Sequence, residues 1–491
     1  MPIKYWLQSS TRSWLTSIPR RGFLRKLAAM LFGSSTLSVL SVPQLVTAAT
    51  NVADLNALQS QISGQLLPRN DEQYEIWRLS MMWQALKHHR YPDFIVQAAN
   101  QDDVIAAVKF ARQHNIKIAV RCGGHSWCHS AMRNGGMLLD ISSLRAVTID
   151  PEGRTAAAQP AINGRELTEL LEPHGLAFPV PHCGMVPLSG YLLGGGLGWN
   201  GESWEGMACF SVRAIEIVTP EGELITANDQ DHTDWFWAAR GAGPGFFGVV
   251  TKYHLQLYPA SRAITTSTYL WPLKHMKEVV AWWTEVSETL ATEVEIIFLL
   301  ASAPEAIFEQ CQGDSHGKVC IISATAFADT AAEAKALLSP LAEGPLAERC
   351  VLRDEYQPSP YKVLFDWDEA AFPRERVVAD TLWSNDKPVE VLSAVFEHFK
   401  SVPSPKTTVI CQLRPKPRDY PDAAYSLRAP TYIASYANWK DAVEDEINTE
   451  WLRKAMRLME PFAIGHYVNE SDLAADTNRS IRSYSPANWQ R

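Results

Sequence analysis

The chain has 491 residues, a formal charge of −9 and 46% hydrophobic residues, which excludes a disordered polymer and provides apolar mass for two or three domains. Its acidic balance is spread out with no basic block, which argues against nucleic acid as a main partner. Seventeen tryptophans are many for this length, and Trp235, Trp237, Trp271, Trp282, Trp283, Trp367, Trp383, Trp439 and Trp451 lie beyond residue 230. Most of them are expected in a packed core, with a few free to line a flat aromatic site.

Residues 1–49 read as an export signal. Arg20 and Arg21 precede Phe23 and Leu24, then come an apolar run, 27–42, and small residues at 46–49. The run is broken by Gly33 and is shorter than the ~20 residues of a spanning helix, so no stable membrane anchor is expected. The twin arginines resemble a Tat signal, with an ordinary Sec peptide as the alternative. The Tat machinery carries folded cargo, which suits a chain that loads a cofactor before export to the periplasm or beyond.

From about Arg69 the pattern alternates. Residues 92–126 predict a strand, a helix capped by Asn100 or Asp102 with apolar positions 104, 105, 108 and 111, and a second strand ending at a glycine pair. That strand runs into Arg121, Cys122, Gly123, Gly124, His125 and Ser126, with Cys128 and His129 just beyond. Within this stretch His125 is open to four roles: metal ligand, catalytic base, core residue, or a group held against a ligand. One Cys-x5-Cys without a second matched pair is a poor zinc signature, so no metal is expected. The eight cysteines permit disulfides in an exported chain, although a core of this size does not require them.

Short strands follow on either side of a turn at 151–154, then a capped helix, 163–175, closed by Gly175. Residues 210–228 predict a hairpin around Pro220–Gly222, and 234–259 a short helix, a glycine-rich turn and a long strand. Beyond Pro259 strand-like and helix-like segments alternate in a texture that predicts a large antiparallel sheet backed by helices.

The second glycine-rich stretch lies at 182–199, with Gly190, Gly194, Gly195, Gly196 and Gly198. Glycine lets backbone N–H groups approach an anion, so the two stretches together point to one pyrophosphate between two loops. The second is not a G-x-G-x-x-G opening a helix, and no acidic residue follows at the expected distance, which disfavours a Rossmann NAD site.

Residues from about 72 to 259 resemble the FAD-binding domain of the vanillyl-alcohol-oxidase superfamily, in its berberine-bridge-enzyme-like branch. The matching residues are Arg121, Gly123–Ser126, Asp140-Ile141-Ser142, Cys183 eleven residues before the Gly194–Gly196 run, and 234–259 with Gly248 and Val249. The resemblance implies an α+β fold of two domains: a PCMH-type FAD-binding domain, residues 70–258, and a substrate domain, 259–465, with an antiparallel sheet backed by helices. A C-terminal return, 466–491, comes back to the first domain. It further implies FAD bonded through His125 at the 8α-methyl and through Cys183 at C6. Val186 corresponds to a position beside the flavin where oxygen-reactive members carry valine.

The stretch from His466 to Asp472 matches the family's Tyr-x-Asn motif, with Tyr467 and Asn469 as supports. Where the family often has a catalytic tyrosine this chain has Glu470, so any base here is of another kind. Ser485 and Pro486 open a last helix, and the chain stops where family members continue, which reads as a truncation. The expected reaction is oxidation of an alcohol or hemiacetal carbon in an oligosaccharide or aromatic natural product, with dioxygen reduced to hydrogen peroxide. A dehydrogenase passing electrons to a quinone or cytochrome, or a flavin-binding protein that has lost its activity, are the alternatives.

Overall fold

A computed structural model describes residues 52–414 and 418–491. The twin-arginine segment lies outside them. The first layer begins earlier than the alternation in the sequence indicates, because Gln65–Pro68 already pairs antiparallel with Phe94–Gln97. Met137–Asp140 lies between Phe94–Gln97 and Ile118–Arg121 and is parallel to both. The helix Gln101–Gln113 makes the crossover. Asn100, rather than Asp102, caps it by accepting from the Asp103 N–H at 3.0 Å. Val104, Ala107, Val108, Phe110 and Ala111 are its buried face, with Ile105 half-buried at the margin. The crossover ends its strand at Arg121, which is where the first glycine loop starts.

A five-stranded antiparallel sheet forms the second layer, in the order Val147–Asp150, Thr155–Ala158, Val249–Gln256, Val212–Val218, Leu224–Asn228. The last two are the expected hairpin, turned at Gly222 with φ +76°. The helix Gly164–Leu171 has a full capping box between Asn163 and Glu166, and the chain leaves it through Gly175 with φ +63°.

The third layer is one antiparallel sheet of seven strands: Leu352–Pro358, Ala263–Pro272, Lys318–Ala328, Val294–Ser302, Thr408–Leu413, Thr431–Trp439, Arg376–Ser384. Both of its faces are covered, and the two-residue period of a strand sorts the side chains between them. On Thr431–Trp439, Ile433, Ala437 and Trp439 join a core with Trp271, Trp283 and Trp451 under the backing helices. Tyr432, Ala434 and Tyr436 point the other way, into a smaller cluster with Tyr425 and Tyr467. Most of the tryptophans beyond 259 therefore belong to the core.

The segment after Gly465 runs back to the first domain. The terminal helix Pro486–Gln490 is capped by Ser485, and Arg491 pairs with Asp234 at 2.9 Å and Asp422 at 3.1 Å. None of the eight cysteines is paired in a disulfide. Among the described residues no helix is long and apolar enough to cross a membrane, and no cluster of His, Cys, Asp or Glu could hold a metal ion.

Ile433 is fully buried on the helix side. Ile433→Ala should lower unfolding stability by about 2–5 kcal/mol in a urea titration while the flavin-to-protein absorbance ratio of the folded enzyme stays unchanged.

Candidate active site

A cavity of about 650 Å³ separates the glycine loops of the first domain from the seven-stranded sheet. Its floor is the loop after Arg121. The Arg121 guanidinium pairs with the fully buried Asp140 at 3.0 Å and donates to the Met81 and Gly123 carbonyls at 3.1 and 3.3 Å. Asp140 is itself held by Gln97 and by the Ser142 hydroxyl, both at 2.9 Å. Gly124 has φ +72°, and a Cβ there would stand 2.2 Å from the Met81 carbonyl. A Cβ on Gly123 would stand 2.4 Å from Pro187. Only glycine fits at either position.

Next to this pair, His125 stacks on Trp83 with ring centroids 4.8 Å apart. Burial, with Arg121 and Arg374 nearby, lowers its pKa to about 3, so the imidazole is neutral at any working pH. The Met185 backbone, two residues past Cys183, opposes that lowering, and Gly123 meets Pro187 of the same loop. The loops of His125 and Cys183 are thus in direct contact. Cys183 faces the same cavity, and burial together with Asp368 raises its thiol pKa, keeping it protonated. Ser126 braces the loop by accepting from the Ser130 N–H at 3.3 Å.

The structure divides the glycines into two groups. Gly123, Gly124, Gly190 and Gly248 face the cavity, as do Val186 and Ser126. Gly194, Gly195, Gly196 and Gly198 do not line it, which corrects the reading of this run as an anion cradle. Three of their N–H groups are already engaged: Gly194 donates to Gly190, Gly195 to Leu192, and Gly196 to the Tyr467 hydroxyl at 3.0 Å. Side chains crowd them instead, since a Cβ on Gly194 would stand 1.9 Å from the Asn469 amide and one on Gly198 2.1 Å from the Tyr191 hydroxyl. Val249 is likewise buried in the first-layer core, and Gly243 and Gly245 take places on the wall that the sequence reading does not assign.

Glu470 lies on the opposite wall. Its Oε2 accepts from the hydroxyls of Tyr432 at 2.6 Å and Tyr436 at 3.0 Å. Burial raises its pKa against the lowering effect of the two phenols, while the phenols are held well above their ordinary value, mainly by burial. Tyr467 and Asn469 also reach the cavity but are tied together, Asn469 Nδ2 donating to the Tyr467 hydroxyl at 3.1 Å and to the Tyr191 carbonyl at 3.2 Å.

Sequence reasoning missed the remainder of this wall. His182 and Glu295 pair at 2.5 Å, with His182 against Trp199. Ser323, Thr325, Gln412 and Asp368 complete the polar lining. Except for His182, Trp199 and Asp368, these residues occupy alternate positions of strands whose other positions are core, so a polar residue on the non-core side of a strand was the available signal.

Residues 92–228 match the family model described as an FAD binding domain. The FAD-linked oxidoreductase ptmO of Penicillium ochrochloron is 26% identical over 404 residues, 80% of this chain and 87% of that protein. This chain is an FAD-linked oxidoreductase. Among solved structures, Physcomitrella patens BBE-like 1 superposes with a TM-score of 0.71 at 18% identity, covering 89% of this chain and 97% of that one. The 6-hydroxy-D-nicotine oxidase of Arthrobacter nicotinovorans gives 0.72 at 19%, covering 91% and 98%. These likenesses establish the α+β fold expected of the family.

The donor set suits FAD. A neutral imidazole and a thiol face one cavity, and the glycine pair offers backbone where a Cβ would intrude. Tyr467→Phe removes the acceptor of the Gly196 N–H and should cost about 1–3 kcal/mol in denaturant titration. The pH profile of flavin reduction should stay in place, as expected of a brace and not of a base.

Proposed function

We propose that the chain is an oxidase that takes a hydride from an alcohol or hemiacetal carbon of a bulky substrate, an oligosaccharide or an aromatic natural product. FAD, when bound through His125 and Cys183, supplies the hydride acceptor and is returned to its oxidised form by dioxygen with release of hydrogen peroxide. The observation that carries this reading is the Glu470 carboxylate, held by two phenols inside the cavity that His125 and Cys183 share. A substrate hydroxyl must lose its proton as its carbon loses the hydride. Glu470 is the group of this trio able to take it, because the phenols stay protonated and donate toward it. Trp199, Phe372 and the tyrosines supply flat walls, and Ser323, Thr325 and Gln412 supply hydroxyl and amide partners for a polyhydroxylated ring. Val186 on the cavity wall is the small residue that the resemblance associates with reactivity toward oxygen. The twin arginines support export by the Tat machinery before the chain acts outside the cytoplasm, and exchanging both for lysine should retain the loaded enzyme inside the cell.

The base works as the carboxylate, so activity is present above its pKa and lost as pH falls through it. Since burial raises that pKa, the acid limb of kcat/KM should lie above the ordinary carboxylate range of about 4.3. Anaerobic mixing with a panel of sugars and aromatic alcohols should bleach the flavin, and Glu470→Gln should slow bleaching roughly 10²-fold or more with reoxidation by air little changed. Bleaching at the wild-type rate in Glu470→Gln would remove this residue from the reaction. Bleaching without oxygen consumption, alongside rapid dye reduction, would make the enzyme a dehydrogenase.

A further inference from the structure

We propose that Asp368 is the base for the chain's own maturation, taking the Cys183 thiol proton as the sulfur becomes bonded to the flavin ring. This rests on the reading that Cys183 is a point of attachment. The geometry comes from the helix Tyr361–Ala371 of the second domain, which packs on the helix Gly164–Leu171 of the first. It sits directly on the Cys183 loop: a Cβ on Gly184 would stand 2.8 Å from the Phe365 ring. Arg165 fastens it there, pairing with Asp366 at 2.9 Å and Glu369 at 2.8 Å. The Arg165 N–H also donates to the Gly184 carbonyl at 2.9 Å. Between those two anchors the helix turns Asp368 into the cavity that Cys183 also lines, close enough for its carboxylate to push the Cys183 thiol pKa up.

A thiol is a poor nucleophile, and here burial holds it protonated, so the attachment needs a base at the sulfur. The surroundings equip Asp368 for this. Burial brings its carboxyl to about 6, opposed by His182 and by the Cys183 thiol, with Glu369 and Glu470 adding a further upward push. It is therefore ionised at neutral pH yet a stronger base than an ordinary aspartate. In the step itself Asp368 accepts the S–H proton while the sulfur bonds to the ring carbon. The hydrogen on that carbon leaves as a proton. The electron pair gained by the ring passes to dioxygen, which takes up two protons as hydrogen peroxide.

The test is peptide mass spectrometry on purified flavin-loaded protein, scoring flavin separately on the His125 and Cys183 peptides. Wild type should carry both linkages. Asp368→Asn should keep the His125 linkage and leave Cys183 largely as a free thiol, with attachment slowed roughly 10²-fold. Incubating that variant in air at about pH 10, where solvent base serves the thiol, should restore the Cys183 linkage. Loss of the linkage without recovery at high pH would mean that Asp368 only shapes the loop, and a full Cys183 linkage formed at the wild-type rate would mean that it is not used; either overturns the proposal. If Asp368→Asn holds no flavin, Asp368→Glu decides: attachment with a shifted pH dependence supports the role, and an unshifted one rejects it. Flavin on His125 alone in wild type would overturn the reading of Cys183 as an attachment point, and this inference with it.

Discussion

The site depends on the contact between two loops at Gly123 and Pro187. The approach leaves no room for a Cβ, and it sets His125 beside the backbone two residues past Cys183. Behind it, the buried Asp140 holds Arg121 against the Met81 and Gly123 carbonyls, so the loop is braced from below. Breaking that brace would leave a carboxylate buried without its cation, a costly arrangement that explains why arginine and aspartate accompany the glycine pair. His125 and Cys183 are far apart along the chain, yet they face one cavity because of this contact.

The second domain contributes through a sheet that serves two purposes. One set of alternate residues builds the large tryptophan-rich core under the helices, and the other supplies Glu295, Ser323, Thr325, Gln412, Tyr432 and Tyr436 to the cavity. A polar side chain on such a strand is fixed by the core residues on either side of it, which limits its freedom before any ligand arrives. The two phenols on Glu470 illustrate the benefit. Both come from one strand, two residues on either side of Ala434, and both donate to the same oxygen of a residue on the returning C-terminal segment.

Much of the fold was legible because its signals are local. Caps at Asn100 and Asn163, the Gly175 stop and the Gly222 turn each act within a few residues. The Gly194–Gly198 run was misread for a physical reason. A run of glycines is required equally by a ligand and by side chains that press on the backbone, and here Asn469, against Gly194, and the Tyr467 hydroxyl, on the Gly196 N–H, come from the far end of the chain. Asp368 was invisible for another. Between Asp366 and Glu369 it reads as part of an exposed acidic helix face, and only the packing of that helix on the Cys183 loop turns it inward. Glu470 could be found in the sequence because the Tyr-x-Asn spacing marks its place, although its partners could not.

The account stands on His125 and Cys183 converging on one flavin. The most direct test is to denature the purified protein with acid and ask where the yellow colour goes. The account predicts that it stays with the precipitated wild-type chain and with either His125→Ala or Cys183→Ala, and that it appears in the supernatant only for the double variant. Free flavin released from the denatured wild-type chain would contradict it.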